Sequence, residues 1–336
     1  MKILATGGLG TVGEVLVEEL RKRGYDVWSC DLFHHHDPQY VRCDVRQYRQ
    51  LEAIFDNHSF DYVYHLAAEF GRWNGEDHYE NLWGTNCVGT KNLIRLQEKH
   101  KFNMIFFSSS EVYGDWEGAM SEDVMEKYEI KQLNDYAMTK WVGEMQILNS
   151  AAMSGTQTVR VRLFNTYGPG EYYSPYRSAI CVFIYRALCD IPYTVYLGHR
   201  RTSTYVTDTV SSLANIVENF KAGEVYNIGG NQEHDMKYVS GLILDYLGKS
   251  DTSLVHYKDG EPFTTKNKKI DISKAVRDLG HNPKITLEEG IPKTVEWMKE
   301  VYKKPAVCYK NLPTIKPLRT KKHRLEIRGP AKLQQG

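Results

Sequence analysis

Apolar positions along the first half of the chain follow two alternating rhythms. Residues 2–6 (Lys-Ile-Leu-Ala-Thr) are a short apolar run that predicts a buried strand. Over 11–23, Val12, Val15, Leu16, Glu19 and Leu20 fall at helical spacing, and Gly24 closes the helix. The same reading predicts strands at 25–30, 39–42, 61–66, 103–108 and 157–163. Helices are predicted between them at 46–57, 78–99 and 134–153. This β-α-β alternation predicts an α/β fold, a doubly wound parallel (Rossmann) sheet covered by helices on both faces.

The second half is less regular. An apolar helix is expected near 178–189, a strand near 224–229 that returns to the sheet, and helices near 238–247 and 290–302. Residues 1–165, with a returning segment near 200–230, are expected to form the main domain. Residues 166–303 would form a smaller, discontinuous C-terminal lobe, and 304–336 a basic tail. That tail carries Lys316, Arg319, Lys321, Lys322 and Arg324 and reads as a solvated segment.

Composition narrows the function. The formal net charge is +1, so no global field favours nucleic acid or membrane. No apolar run is long enough to span a bilayer. The chain starts directly on its first strand, so no signal peptide and a cytoplasmic location are expected. Cys30, Cys43, Cys87, Cys181, Cys189 and Cys308 show no C-x-x-C pair, which predicts reduced thiols. His34-His35-His36 has no Cys or carboxylate at ligand spacing beside it, so no metal is expected.

Between the first strand and the first helix lies Thr6-Gly7-Gly8-Leu9-Gly10-Thr11-Val12-Gly13. A tight turn there needs residues without a Cβ, a pyrophosphate needs close backbone approach, and the helix start (Thr11, Val12) offers free N–H groups. Gly7, Gly10 and Gly13 meet those needs, which predicts dinucleotide binding. Asp31, at the end of the second strand, can accept from both adenosine ribose hydroxyls and repels a 2′-phosphate. NAD is therefore expected over NADP.

The candidate chemistry sits at two further places. Tyr136-Ala137-Met138-Thr139-Lys140 sets a phenol and an ammonium on one face of a helix. A free tyrosine titrates near 10, and the Lys140 ammonium together with an oxidised nicotinamide is expected to lower that value enough for Tyr136 to act as a base. Lys140 would also bond the nicotinamide ribose. The run Ser108-Ser109-Ser110-Glu111 follows a buried strand, and leads to the sheet edge where open α/β folds bind ligands. Hydroxyls there can hold a sugar hydroxyl and share its proton.

Together these motifs resemble the extended short-chain dehydrogenases, the nucleotide-sugar epimerases, dehydratases and decarboxylases. The resemblance runs from Met1 to about Tyr302. It also takes in His65-Leu66-Ala67-Ala68-Glu69, Thr85-Asn86, Arg162–Gly170, Arg201–Asp208 and Tyr226–Gly230. It implies that Asp44 and Val45 meet the adenine, and that Leu66, Ala67 and Ala68 line the cofactor, with Ser108 beside it. Ser109 and Ser110 would meet the sugar, Asn165 and Arg201 the diphosphate of a nucleotide-diphosphate sugar. A homodimer is implied through the helices at 78–99 and 134–153.

The resemblance has departures. Thr202 and Ser203 follow Arg201 where the family usually has an acidic residue and an aromatic. The 4,6-dehydratases carry Thr-Asp-Glu where this chain has Ser109-Ser110-Glu111, and Ser110 cannot replace that acid. The expected reaction is NAD-dependent 4-epimerisation. Tyr136 and Ser109 would take the C4 hydroxyl proton, the sugar would turn over as a 4-keto species, and the hydride would return. Decarboxylation of a nucleotide uronate, or a dehydration with Glu111 as base, shares the same 4-keto species. A cofactor-binding sensor without turnover is the alternative of another class.

Overall fold

The computed structural model describes residues 1–302; the expected basic tail over 304–336 and Cys308 lie outside them. In chain order the first elements are β1 (Lys2–Thr6), α1 (Thr11–Lys22), β2 (Asp26–Asp31), β3 (Tyr40–Arg42), α2 (Tyr48–Asn57) and β4 (Tyr62–His65). Next come α3 (Arg72–Asp77), α4 (Tyr79–Trp83), a π-helical segment (Gly84–Gly89), α5 (Thr90–His100), β5 (Asn103–Ser109) and a 3₁₀ turn (Ser110–Tyr113). Then follow α6 (Val124–Lys127), α7 (Asp135–Ser154), β6 (Thr158–Leu163), β7 (Asn165–Tyr167), α8 (Ala179–Leu188), β8 (Tyr193–Leu197) and β9 (Arg200–Tyr205). The last are α9 (Val206–Ala214), β10 (Val225–Ile228), β11 (Glu233–Asp235), α10 (Met236–Leu247), β12 (Val255–Asp259), α11 (Ser273–Leu279) and α12 (Leu287–Val301).

Seven strands form one sheet in the order β10-β6-β5-β4-β1-β2-β3, and every neighbouring pair is parallel. The strands are apolar because helices cover both faces: β10 is buried at every position and β5 at all but its first. One side of the sheet packs Leu4, Val63, Met104 and Phe106 against Leu51 and Ile54 of α2, Leu93 of α5 and Ile147 of α7. Each such side chain contributes roughly 1.5–3 kcal/mol on burial. Strand order reverses between β1 and β4, so their C-terminal ends open a crevice, the place where such sheets bind ligands.

Two features depart from the expected elements. The helix expected over 78–99 is broken into α4, the π-helical segment and α5, and α3 precedes it. Within the π-helical segment Asn86 turns to the loop after β4: its Nδ2 donates to the Glu69 carbonyl (3.0 Å) and its Oδ1 accepts from Glu69 N–H (2.9 Å). That bond competes with regular winding, as π-bulges at functional sites do. Two small sheets, β11-β9-β7 and β12-β8, also lie outside the expected set. The strands of the first are short and mostly polar (Glu-His-Asp in β11), so no apolar alternation announces them, whereas β8 (Tyr-Thr-Val-Tyr-Leu) is apolar but stands close behind α8.

Candidate active site

A single cavity of about 920 Å³ runs from the Gly-rich turn past the ends of β1, β4 and β5. At one end Gly7 takes φ +73°, and a Cβ there would stand 2.6 Å from Ala67 N. A Cβ at Gly13 would stand 2.2 Å from the Gly7 carbonyl oxygen. The turn is thus packed so that only glycine keeps the α1 terminus against it. No side chain caps α1, so its first N–H groups face the cavity with the positive end of the helix. Asp31 Oδ2 accepts from Leu9 N–H (3.1 Å), which aims the carboxylate at the same turn. This cradle fits a dinucleotide pyrophosphate and an unphosphorylated ribose.

Gly10, Thr11, Val12, Asp44, Val45, Leu66, Ala67 and Ala68 all line the cavity, as expected of cofactor contacts. Asp44 is already engaged by Arg46, whose guanidinium reaches both its oxygens at 2.8–3.0 Å. His65, just beneath, bridges Thr6 Oγ1 (2.8 Å) and Thr90 Oγ1 (3.0 Å), and burial drives its pKa down to about 3. It is a neutral spacer that locks β4 to β1.

At the other end α7 delivers Tyr136 and Lys140. Asn134 caps the helix by accepting from Ala137 N–H (2.8 Å). Gly143 lets α7 press onto β5: a Cβ there would meet the Phe106 ring at 2.6 Å. Lys140 Nζ therefore reaches the Phe107 carbonyl (2.8 Å), and burial brings its pKa down to about 8. Tyr136 faces Ser109, whose hydroxyl favours the phenolate. Its pKa is nevertheless pushed up to about 12, because burial outweighs Ser109 and Glu111 adds negative charge. Lys140 alone does not supply the lowering expected from the ammonium together with an oxidised nicotinamide. The ammonium is spent on a carbonyl, and in the chain by itself Tyr136 is a proton-bearing acid.

Ser108 also lines the cavity, and its hydroxyl donates to Glu144 Oε1 (2.6 Å). Glu144 is fully buried, and Arg162 grips it through Nε and NH2, both at 2.9 Å. Burial opposes that charge, but Arg162, Ser108 and Arg160 hold the carboxyl below its ordinary range. Ser110 and Asn165 line the cavity. Arg201 does too, but its NH1 donates to the carbonyls of Arg200 (2.9 Å) and Lys266 (2.6 Å), so it also holds the loop before Lys268.

Glu111 meets a partner that sequence reasoning missed. Lys268 Nζ donates to its Oε1 at 2.5 Å. Burial alone would raise the Glu111 pKa, but Lys268, Arg72 and Arg201 outweigh it and hold the carboxyl at about 2. Lys268 itself is brought down to about 8 by burial. A carboxylate held this acidic is a poor base, which weighs against the dehydration alternative in which Glu111 takes that role. Arg72 and Glu261 pair nearby at 2.9 Å. Lys268 and Glu261 lie in a polar loop without periodicity, and Arg72 only follows the Gly71 turn, so nothing local marked them.

Known proteins resemble this chain in sequence and in fold. A family model described as the NAD dependent epimerase/dehydratase family matches residues 3–229. The chain is 30% identical to UDP-N-acetyl-alpha-D-glucosaminuronate decarboxylase of Bacillus cytotoxicus, covering 89% of this chain and 98% of the relative. It is 29% identical to UDP-glucuronic acid decarboxylase 1 of Xenopus tropicalis, covering 96% and 78%. Among solved structures it is similar to UDP-glucuronic acid 4-epimerase from Bacillus cereus in complex with UDP-glucuronic acid and NAD. That match has a TM-score of 0.80 and 27% identity, and covers 90% of this chain and all of the other.

Proposed function

The chain belongs to the NAD-dependent epimerase/dehydratase family, an enzyme modifying nucleotide-linked sugars, and on that premise we propose that it oxidises a nucleotide-linked uronic acid at C4 and decarboxylates the product. The observation that carries this reading is the buried Glu111–Lys268 pair beside Tyr136. NAD, when bound against Gly7–Gly13 and Asp31, supplies the hydride acceptor and donor for C4.

The chain's own residues handle protons and position. Ser109 and Tyr136 hold the C4 hydroxyl and take its proton, while Lys140 fixes the end of β5 through Phe107. A 4-keto uronate is a β-keto acid. Its C5–C6 bond breaks with the electron pair moving into the C4 carbonyl, and carbon dioxide leaves. No base is needed for that step, in keeping with a Glu111 carboxyl held at about 2. An acid is needed afterwards to protonate C5, and Lys268, bonded to Glu111 at the cavity wall, carries a proton at neutral pH. Dehydration fits less well, since it needs a base at C5 and an acid at C6, where Glu111 is too acidic and Ser110 is a serine.

The second reading is 4-epimerisation of the same substrate class, favoured by the likeness to the Bacillus cereus epimerase. Incubation with UDP-glucuronic acid, UDP-glucose and UDP-N-acetylglucosaminuronic acid, with products identified by mass and NMR, decides between them. Loss of carbon dioxide is expected. Unchanged mass with inverted C4 means epimerase, and loss of water overturns the assignment of Ser110 and Glu111. Tyr136→Phe should lose about 10²–10⁴-fold of turnover while retaining NAD.

A further inference from the structure

Arg72 opens α3 at the reacting end of the cavity. It shares the cavity lining with Tyr136, Ser109 and Glu111. Its NH2 donates to Glu261 Oε1 at 2.9 Å, whereas NH1 is buried with no hydrogen-bond partner. An unpaired charged donor shut off from water is costly, so NH1 calls for an acceptor from outside the chain.

The neighbouring cations are committed. Lys268 is bonded to Glu111. Arg201 spends NH1 on two carbonyls, and its NH2 lies 3.3 Å from both His199 Nδ1 and Thr264 Oγ1. Around this point three cations (Arg72, Arg201, Lys268) face two carboxylates (Glu111, Glu261), which leaves one positive charge. That balance suits one singly charged anion. Arg72 is also held in place beforehand. Gly71 turns the chain at φ +87°, Trp73 stacks edge-on against Phe263 at 5.6 Å, and Asn134 Nδ2 donates to the Phe263 carbonyl at 3.0 Å.

We propose that Arg72 is a specificity-determining residue: its NH1 holds the C6 carboxylate of the uronic sugar and so selects uronates over neutral sugars. The inference rests on the substrate class given under Proposed function. The same N–H could also serve a phosphate of the nucleotide, and the test separates the two sources.

Binding is measured by calorimetry on the full chain with NAD present, using UDP, UDP-glucose and UDP-glucuronic acid. The unmodified chain should bind UDP-glucuronic acid more tightly than UDP-glucose. Arg72→Met should weaken UDP-glucuronic acid by about tenfold or more and leave UDP and UDP-glucose nearly unchanged. Arg72→Lys, which keeps the charge but not the fork, should lose part of the preference and guards against a misfolded first variant. Equal weakening of all three ligands makes Arg72 a phosphate contact or a structural residue and overturns the proposal, as does an unaltered preference in both variants. If the unmodified chain shows no preference for the uronate, the substrate class itself fails and the proposal falls with it.

Discussion

Burial brings the Lys268 pKa down to about 8 even though the Glu111 charge favours its proton. Lys140 is brought to about the same value by the same cause. Both lose their protons as pH rises through 8, yet they serve different steps. Protonation at C5, and with it formation of the decarboxylated product, should therefore fall above about pH 8. Lys268→Met should cut formation of the decarboxylated product by about 10²-fold or more at every pH. Single-turnover oxidation at C4 should survive that change and keep the alkaline limb set by Lys140. Product formation unaltered in Lys268→Met removes Lys268 from the reaction. Tyr136, Lys140 and Ser109 were legible from spacing and position, because one helix turn and one strand end suffice to align them. The pKa pattern was not legible. It depends on what buries each group, and Lys140 proved to be bonded to a carbonyl.

The turn from β1 into α1 shows how an element makes a site. Gly13 sits in the first turn of α1, where a Cβ would stand 2.2 Å from the Gly7 carbonyl oxygen and 3.0 Å from Gly8 Cα. Both atoms are backbone and neither can swing aside. Gly13→Ala should therefore push α1 away from β1, costing about 1–3 kcal/mol of stability and most of the affinity for NAD. Denaturant titration and NAD calorimetry read the two effects, and wild-type NAD affinity would show that the turn tolerates the extra atom. The strands of the main sheet could be read from the sequence because burial on both faces makes them continuous apolar runs. β7, β9 and β11 could not: Asn165-Thr166-Tyr167 pairs with Ser203-Thr204-Tyr205, polar residues held by partners distant in the chain.

Over the whole molecule, the apolar surface left uncovered points to a second copy of the chain. Val88 of the π-helical segment and Met138, Met145 and Leu148 of α7 are exposed. They lie on the two elements expected to pair in a homodimer, and an apolar stripe on a helix is normally covered. We propose that two copies pack through these helices. Light scattering should give twice the mass of one chain, and Met145→Glu should shift the population toward single chains by burying a charge in the interface. A single-chain mass for the unmodified protein counts against the pairing.

What the sequence determined by itself was local or repeated: the β-α-β rhythm, the glycines at the first turn, Asp31 at the end of β2, the Tyr136–Lys140 spacing and the serine run after β5. Each rests on neighbours within one or two turns of chain, so it could be read without knowing what lies across the cavity. The tertiary structure alone decided the company of Glu111. Residues 72, 111, 201, 261 and 268 come from α3, a 3₁₀ turn, β9 and the loop before α11, and no periodicity links them. Charge and burial act through space. The Glu111 carboxyl entered the dehydration alternative as a base, but three cations drawn from distant parts of the chain hold it ionised at about 2.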